Sequence, residues 1–172
     1  IMADRVAQQL EEPGEICYKG IVELLGEEIL AADGQIDRAK MAQRIFGDQE
    51  LLARVNQIVH PAVQNYIEAC IKQEREAGKL DFLFIEAALL IECGYAQILD
   101  ELWYIYASDE VRRVRLKAAR GYSDEKIGSI MNGQLSDEKF RKNCQFVIDN
   151  SGSLQDAYRQ IDEKLREKRC QR

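Results

Sequence analysis

Three stretches of the chain stay apolar for three or more consecutive positions between polar or turn residues: "DFLFIEAALLIE" from Asp81, "DELWYIYAS" from Asp100 and "QFVIDNSG" from Gln145. Their β-branched and aromatic content predicts strands buried on both faces, as in a parallel sheet. Ile1-Met2-Ala3, a short apolar run ending at Asp4, reads as the last part of a fourth such strand, whose beginning is expected upstream of Ile1. Val6 and Leu10 then follow helical spacing until Pro13-Gly14 stops it.

Between and around the strands the period changes to that of helices. Residues 15–79 carry apolar positions at helical intervals (Ile16, Ile21, Leu24, Leu25; Met41, Ile45, Phe46; Leu51, Leu52, Val55, Ile58; Val63, Tyr66, Ile67) and predict a mostly helical insertion. Ala32-Asp33-Gly34 marks a turn within it, and Gly78-Lys79 ends its last helix. Later, Ser108, Ser123 and Ser136 are each followed by an Asp-Glu pair. A hydroxyl that accepts from the free N–H groups, followed by acids in the first turn, is a helix start. Strand, helices, strand is the order of an α/β fold with a parallel sheet.

Composition adds limits. At 172 residues, 46% hydrophobic and 31% charged, the chain can bury a sizeable core as one unit, with room for a subdomain. No run approaches the ~18 apolar residues of a spanning helix, and the first segment lacks signal-peptide form, so a cytoplasmic protein is expected. Cys17, Cys70, Cys93, Cys144 and Cys170 are odd in number, scattered and never in a CxxC pair. Free thiols are expected, with neither a disulfide framework nor a zinc site. A net charge of −6 argues against a nucleic-acid surface. Yet five of the nine residues from Arg112 to Arg120 are basic, with no acid from Val111 to Arg120. At about 100° per residue, Val111, Val114 and Ala118 share a stripe that can pack on the core while the cations face outward. Such a cluster suits the phosphates of a small polyanion, or is a solvated helix face.

The candidate acids sit at predicted strand ends. Asp4 lies where a strand gives way to a helix, the place at which ligands gather in open parallel sheets, although the same carboxylate can serve as a helix N-cap. Glu86 and Glu92 lie in and after the second predicted strand. Either can hold a water or a cation, or be a solvated strand end. His60 is the only histidine and precedes Pro61, which predicts a helix starting at the proline with His60 extended before it. No nucleophile and orienting acid accompany it in sequence, so no triad is built on it.

Taken in order, these segments resemble the dephospho-coenzyme A kinase family of P-loop kinases. The family's "DAD-x-(I/V)-A" and "EPG" are similar to residues 2–7 and Glu12-Pro13-Gly14. Its "DG-x-(L/I)-(D/N)-R" and following Phe are similar to residues 33–38 and Phe46, and its "HP" to His60-Pro61. Its "PLLFE" region is similar to residues 86–92, its lid pattern to Arg115, Arg120-Gly121 and Gln134, and its closing "V-I-D-N-x-G" to residues 147–152. The resemblance covers nearly the whole chain. It implies the parallel sheet of a P-loop kinase core flanked by helices (1–10, 80–107 and 143–172), a helical substrate-binding insertion (11–79) and a helical lid (108–142).

The implied reaction is ATP-dependent phosphorylation of the ribose 3′-hydroxyl of dephospho-CoA, the last step of coenzyme A biosynthesis. The implied partners are dephospho-CoA, ATP and Mg2+, the ion held mainly by the phosphate loop and the phosphates, with neither nucleic acid nor membrane. Asp4 would be base or orienter for the acceptor hydroxyl. Arg115 and Arg120 would be lid cations on the phosphates, with Asn150 and Gly152 in the turn that lines the adenine. Arg38, His60 and Glu92 would contact the acceptor, with Glu86 nearby.

The family begins with a strand, a GxxxxGK(S/T) loop and a helix. That motif does not occur between Ile1 and Arg172, so it is expected upstream, and the stretch from Ile1 is expected to be inactive alone. Four positions depart from the pattern. Met2 replaces the first Asp of "DAD", Ala88 the Pro of "PLL" and Gln145 an Asp, and Arg120 is displaced by one position. Two other functions fit the same residues: a non-catalytic CoA-binding or assembly module, and a kinase acting on another nucleotide or nucleoside.

Overall fold

A computed structural model describes residues 1–170, which fall into two units, one of Ile1–Cys93 and one from Gly94 onward. In the first, helices α1 (Ala3–Leu10), α2 (Tyr18–Leu25), α3 (Arg38–Ile45) and α4 (Gln49–Ala77) account for most of the chain. The long α4 is the spine. Its buried residues Leu51, Val55, Val59, Val63 and Ile67 recur every fourth position. Four residues overshoot one turn by about 40°, so the stripe winds around the helix axis. That winding lets one helix pack against α1, α2 and α3. Ile21, Leu25, Ile29 and Ile67 are at most 1% exposed, and burial of each stabilises the unit by roughly 1.5–3 kcal/mol.

The helix does not start at the proline. Pro61 lies inside α4, so His60 is helical, contrary to the extended geometry expected of a residue before proline. An interior proline costs about 3 kcal/mol through the lost N–H bond and its clash with the preceding turn. The buried stripe on both sides outweighs that cost. At the next level of detail the insertion is as expected: Ala32-Asp33-Gly34 forms a turn beside a single Leu30–Ile36 bridge, and Gly78, at φ 60°, closes α4 in the left-handed conformation.

The first two expected strands are reduced to one parallel bridge, Met2 to Glu86. The Ala3 amide donates to the Glu86 carbonyl at 2.9 Å, and the Glu86 amide donates to the Ile1 carbonyl at 2.8 Å. Ala3 already belongs to α1, so the ladder cannot run further into the chain. Nor is the 81–92 segment buried on both faces: Phe84 is 51% exposed, and residues 88–94 are turns.

The second unit holds β1 (Trp103–Tyr106) and β2 (Phe146–Asp149), paired parallel with Trp103 opposite Phe146 and Tyr106 opposite Asp149. A parallel pair needs a crossover. Here it is made by α5 (Asp109–Arg120), α6 (Asp124–Asn132) and α7 (Asp137–Asn143), and α8 (Leu154–Cys170) returns to pack on β2. Ser108, Ser123 and Ser136 cap the three crossover helices as their sequence predicts, each hydroxyl accepting from the amide three residues on. Burial is thinner than the strand composition suggests: Ile148 is 1% exposed, but Ile105 is 56% exposed. The charged C-terminal run is helical to Cys170.

Candidate functional site

In the first unit the Met2–Glu86 bridge sets the position of two acids. Asp4 follows the bridge by two residues and sits in the first turn of α1, exposed. It is not the N-cap: that position belongs to Met2, which makes no side-chain cap. Among the described residues the Asp4 carboxylate has no hydrogen-bond or ion-pair partner, although the positive end of α1 favours its charge. Glu86, also exposed, supplies the backbone groups that meet Ile1 and Ala3.

His60 lies mid-way along α4, half-buried, and its Nδ1 is 3.6 Å from the Cys93 thiol. Glu92, the neighbour of Cys93, is exposed. Burial, then the Glu92 charge, pushes the Cys93 thiol above the ordinary range. Arg38 begins α3 and is elsewhere occupied: its Nη2 donates to Glu11 Oε2 at 3.2 Å. Burial raises the Glu11 carboxyl above its usual value, and Arg38 partly draws it back. This pair stands on the rim of an open cleft of about 610 Å³ whose wall includes Met41, Ile45, Phe46 and Leu52. Met41, Ile45 and Phe46 carry the helical spacing that would let a face pack inward. Instead no residue of α3 is buried, and Phe46 is 90% exposed where α3 ends and the chain turns through Gly47. A volume of that size is in the range of small-molecule sites.

In the second unit the carboxyl ends of β1 and β2 meet the start of α5. The Asn150 amide donates to the Tyr106 carbonyl at 2.7 Å, and the Ser108 amide donates to Ser151 Oγ at 2.9 Å. The Ser151 amide donates to Asp149 Oδ1 at 2.8 Å. Hydrogen bonds from Ser151 hold the Asp149 carboxyl below its ordinary value. From one and a half turns along α5, Arg115 Nη2 reaches the Gly152 carbonyl at 3.3 Å. Arg115, Asn150 and Gly152 are thus gathered at one turn. Arg120 is not with them: at the far end of α5 it donates to Tyr122 Oη at 3.4 Å.

The apolar stripe of α5 does not pack as its spacing suggests. Val114 is 62% exposed, and α5 has no buried residue. Its cations are also less free than the acid-free run implies, because acids arrive from outside that run. Lys117 pairs with Asp124 at 2.8 Å, and Arg112 with Asp109 at 3.6 Å and with the Gln134 carboxamide. Arg115, by contrast, meets a neutral carbonyl, which anchors the guanidinium and leaves its charge uncancelled. Sequence reasoning missed Gln160, whose carboxamide clasps Asp149 by accepting from its amide and donating to its carbonyl, both at 2.9 Å. It lies eleven positions away on a charged helix, and nothing in the pattern distinguishes it.

Parallel strands joined by a helical crossover, with an arginine-bearing helix at their carboxyl ends and a separate helical unit around an open cleft, are the parts of an α/β phosphotransferase. A family model for dephospho-CoA kinase matches residues 1–156. The chain belongs to the dephospho-CoA kinase family. It is 36% identical to a dephospho-CoA kinase of Carboxydothermus hydrogenoformans, over 94% of this chain and 78% of that protein. It is 34% identical to one of Geobacter sulfurreducens, over 95% and 82% respectively. Among solved structures, TT1252 from Thermus thermophilus superposes with a TM-score of 0.74 at 28% identity, over 97% of this chain and 83% of that one. A dephospho-CoA kinase from Campylobacter jejuni, at 21% identity, shares the fold with a TM-score of 0.71.

Proposed function

We propose that this protein transfers the γ-phosphoryl group of ATP to the ribose 3′-hydroxyl of dephospho-CoA, giving coenzyme A and ADP. The family match across residues 1–156 carries the reading. Residue roles follow from chemistry. As the 3′-oxygen bonds to the γ-phosphorus, its proton passes to Asp4, an exposed carboxylate without a competing partner among the described residues. The bond from phosphorus to the β,γ-bridging oxygen breaks, and ADP leaves. Arg115 stabilises charge on the transferring group, and Arg120 contributes less because it is held at the other end of its helix. The Asn150–Gly152 turn receives the adenine. His60, Glu92 and Arg38 serve the acceptor, and the cleft at α3, with apolar walls and a charged rim, suits the mixed amide and methylene arm of CoA.

Magnesium would enter with the ATP phosphates and lower the charge on them. Among the described residues no three His, Cys, Asp or Glu side chains converge as a metal cluster. A magnesium ion held mainly by the phosphate loop and the ATP phosphates needs few protein ligands besides, and Asp4 stays free to take the proton. We assign the regions 1–10, 80–107 and 143–172 to the nucleotide core, 11–79 to acceptor binding and 108–142 to the lid. The reaction is placed in the cytoplasm, where unpaired thiols such as the five cysteines persist. Among the described residues no helix is long and apolar enough to cross a membrane.

The test uses the full-length protein with dephospho-CoA and Mg-ATP, following CoA and ADP. Asp4→Asn is expected to lower kcat about 10²- to 10⁴-fold, the usual contribution of a positioned base, with the fold intact. Undiminished turnover in that variant would remove Asp4 from the reaction. Faster transfer to nucleosides than to dephospho-CoA would overturn the acceptor.

A further inference from the structure

Cys93 and His60 come from separate segments 33 positions apart and meet at 3.6 Å between Sγ and Nδ1. The meeting is built into the fold. His60 is fixed on α4, and Cys93 is pinned at the end of its turn by its amide, which donates to the Leu89 carbonyl at 2.9 Å. Both side chains are half-buried, and the Cys93 thiol stays protonated at neutral pH because burial and the Glu92 charge disfavour its thiolate. Whenever the imidazole is unprotonated, a thiol beside it can make the bond in either direction. Sulfur is the weaker acceptor of the two, and an unprotonated ring nitrogen is a good one. The favoured arrangement has S–H donating to Nδ1, which puts the ring proton on Nε2. Among the described residues Nε2 has no partner of its own.

We propose that Cys93 is a positioning residue whose thiol locks His60 in the Nε2–H tautomer, so that the imidazole offers a hydrogen-bond donor to an oxygen of bound dephospho-CoA. The second half rests on the acceptor reading above; the first does not. A free imidazole exchanges between its two neutral tautomers, so the lock removes a population that would present a lone pair to the substrate instead. The gain is in binding and orientation of the acceptor, and the chemical step itself is untouched.

His60 is the only histidine, so the imidazole resonances of the uniformly ¹⁵N-labelled full-length protein come from one ring. Well above the imidazole pKa, the wild type is expected to show a single Nε2–H form. Cys93→Ala is expected to give the averaged shifts of two exchanging tautomers, and Cys93→Ser, which restores a donor, to return the wild-type pattern. An Nδ1–H ring in the wild type, or identical tautomer populations in all three proteins, would overturn the lock. In kinetics, Cys93→Ala should raise the KM for dephospho-CoA about 3- to 10-fold, with kcat and the KM for ATP unchanged, and Cys93→Ser should recover most of it. A tautomer that follows Cys93 while that KM does not move would refute the contact with dephospho-CoA and leave the lock standing. Absence of kinase activity in the wild type would count against the proposed function alone, since the tautomer is read without substrate.

Discussion

In Ile1–Cys93 twelve apolar residues are buried, nine of them either at 1% exposure or less or within the α4 stripe; among the described residues from Gly94 onward five are buried, with α5 and α7 contributing none. The second unit shows instead a row of serine caps, the Lys117–Asp124 and Arg141–Asp137 pairs, and Arg141 5.0 Å from the Tyr106 ring. Apolar burial is not screened by salt and is indifferent to small changes of charge, whereas exposed pairs are each worth little and are screened. The contrast suits the division of labour proposed above. A unit that receives a CoA arm needs a fixed cleft, and helices that carry cations to a nucleotide benefit from weak attachment.

Deleting core volume in each unit gives the largest expected difference. Ile67→Ala removes a fully buried side chain from α4 and should cost about 2–5 kcal/mol of stability. Val114→Ala, at a site 62% exposed, should change stability by less than about 0.5 kcal/mol. Denaturant midpoints of the two variants measure both. Equal losses would show that the α5 stripe is packed after all.

The next effect runs in the opposite direction. Because α4 carries Pro61 on its exposed side against helical preference, Pro61→Ala should restore a backbone donor and stabilise the first unit by about 1–3 kcal/mol, the lower figures reflecting the entropy that proline removes from the unfolded chain. A thermal scan that shows no gain, or a loss, would mean that the proline ring itself packs in a way its exposure does not suggest.

What sequence could and could not reveal follows the same division. The three serine caps, the turn at Asp33-Gly34, the Gly78 stop and strands β1 and β2 are local signals, and all appear where the residues predict them. Local rules fail where tertiary contact overrides them. Pro61 is absorbed by flanking burial, and the apolar 81–92 run finds a partner only at Glu86. Phe46 and Val114 carry the right period with nothing packed over them. Of the candidate site, the turn at Asn150–Gly152 was legible because it is contiguous. Its anchor to Arg115 was not, and neither was the Cys93–His60 contact, since a pairing across 37 or 33 positions leaves no periodic trace.

The smallest effect sharpens the comparison furthest, because the two units should respond to acid with opposite sign. Glu11 has its carboxyl raised, chiefly by burial, so its protonated form fits the folded first unit better. Its contribution is complete below the unfolded value of about 4.5 and is lost as pH climbs through the raised folded value. Asp149 and Asp156 in the second unit are held low, chiefly by hydrogen bonds from Ser151 and Ser153. Their contribution is present above the unfolded value of about 3.9 and is lost as pH falls through the lowered folded values. Native-state hydrogen exchange between about pH 3 and 6, corrected for intrinsic rates, separates the units amide by amide. Protection in α4 should decline with rising pH and become flatter in Glu11→Gln, while protection at the start of α8 should increase with pH over the same interval. Were α4 to gain protection as pH rises, and Glu11→Gln to leave its slope unchanged, the burial of that carboxylate would have no hold on the unit, and Arg38 would be compensating it in full.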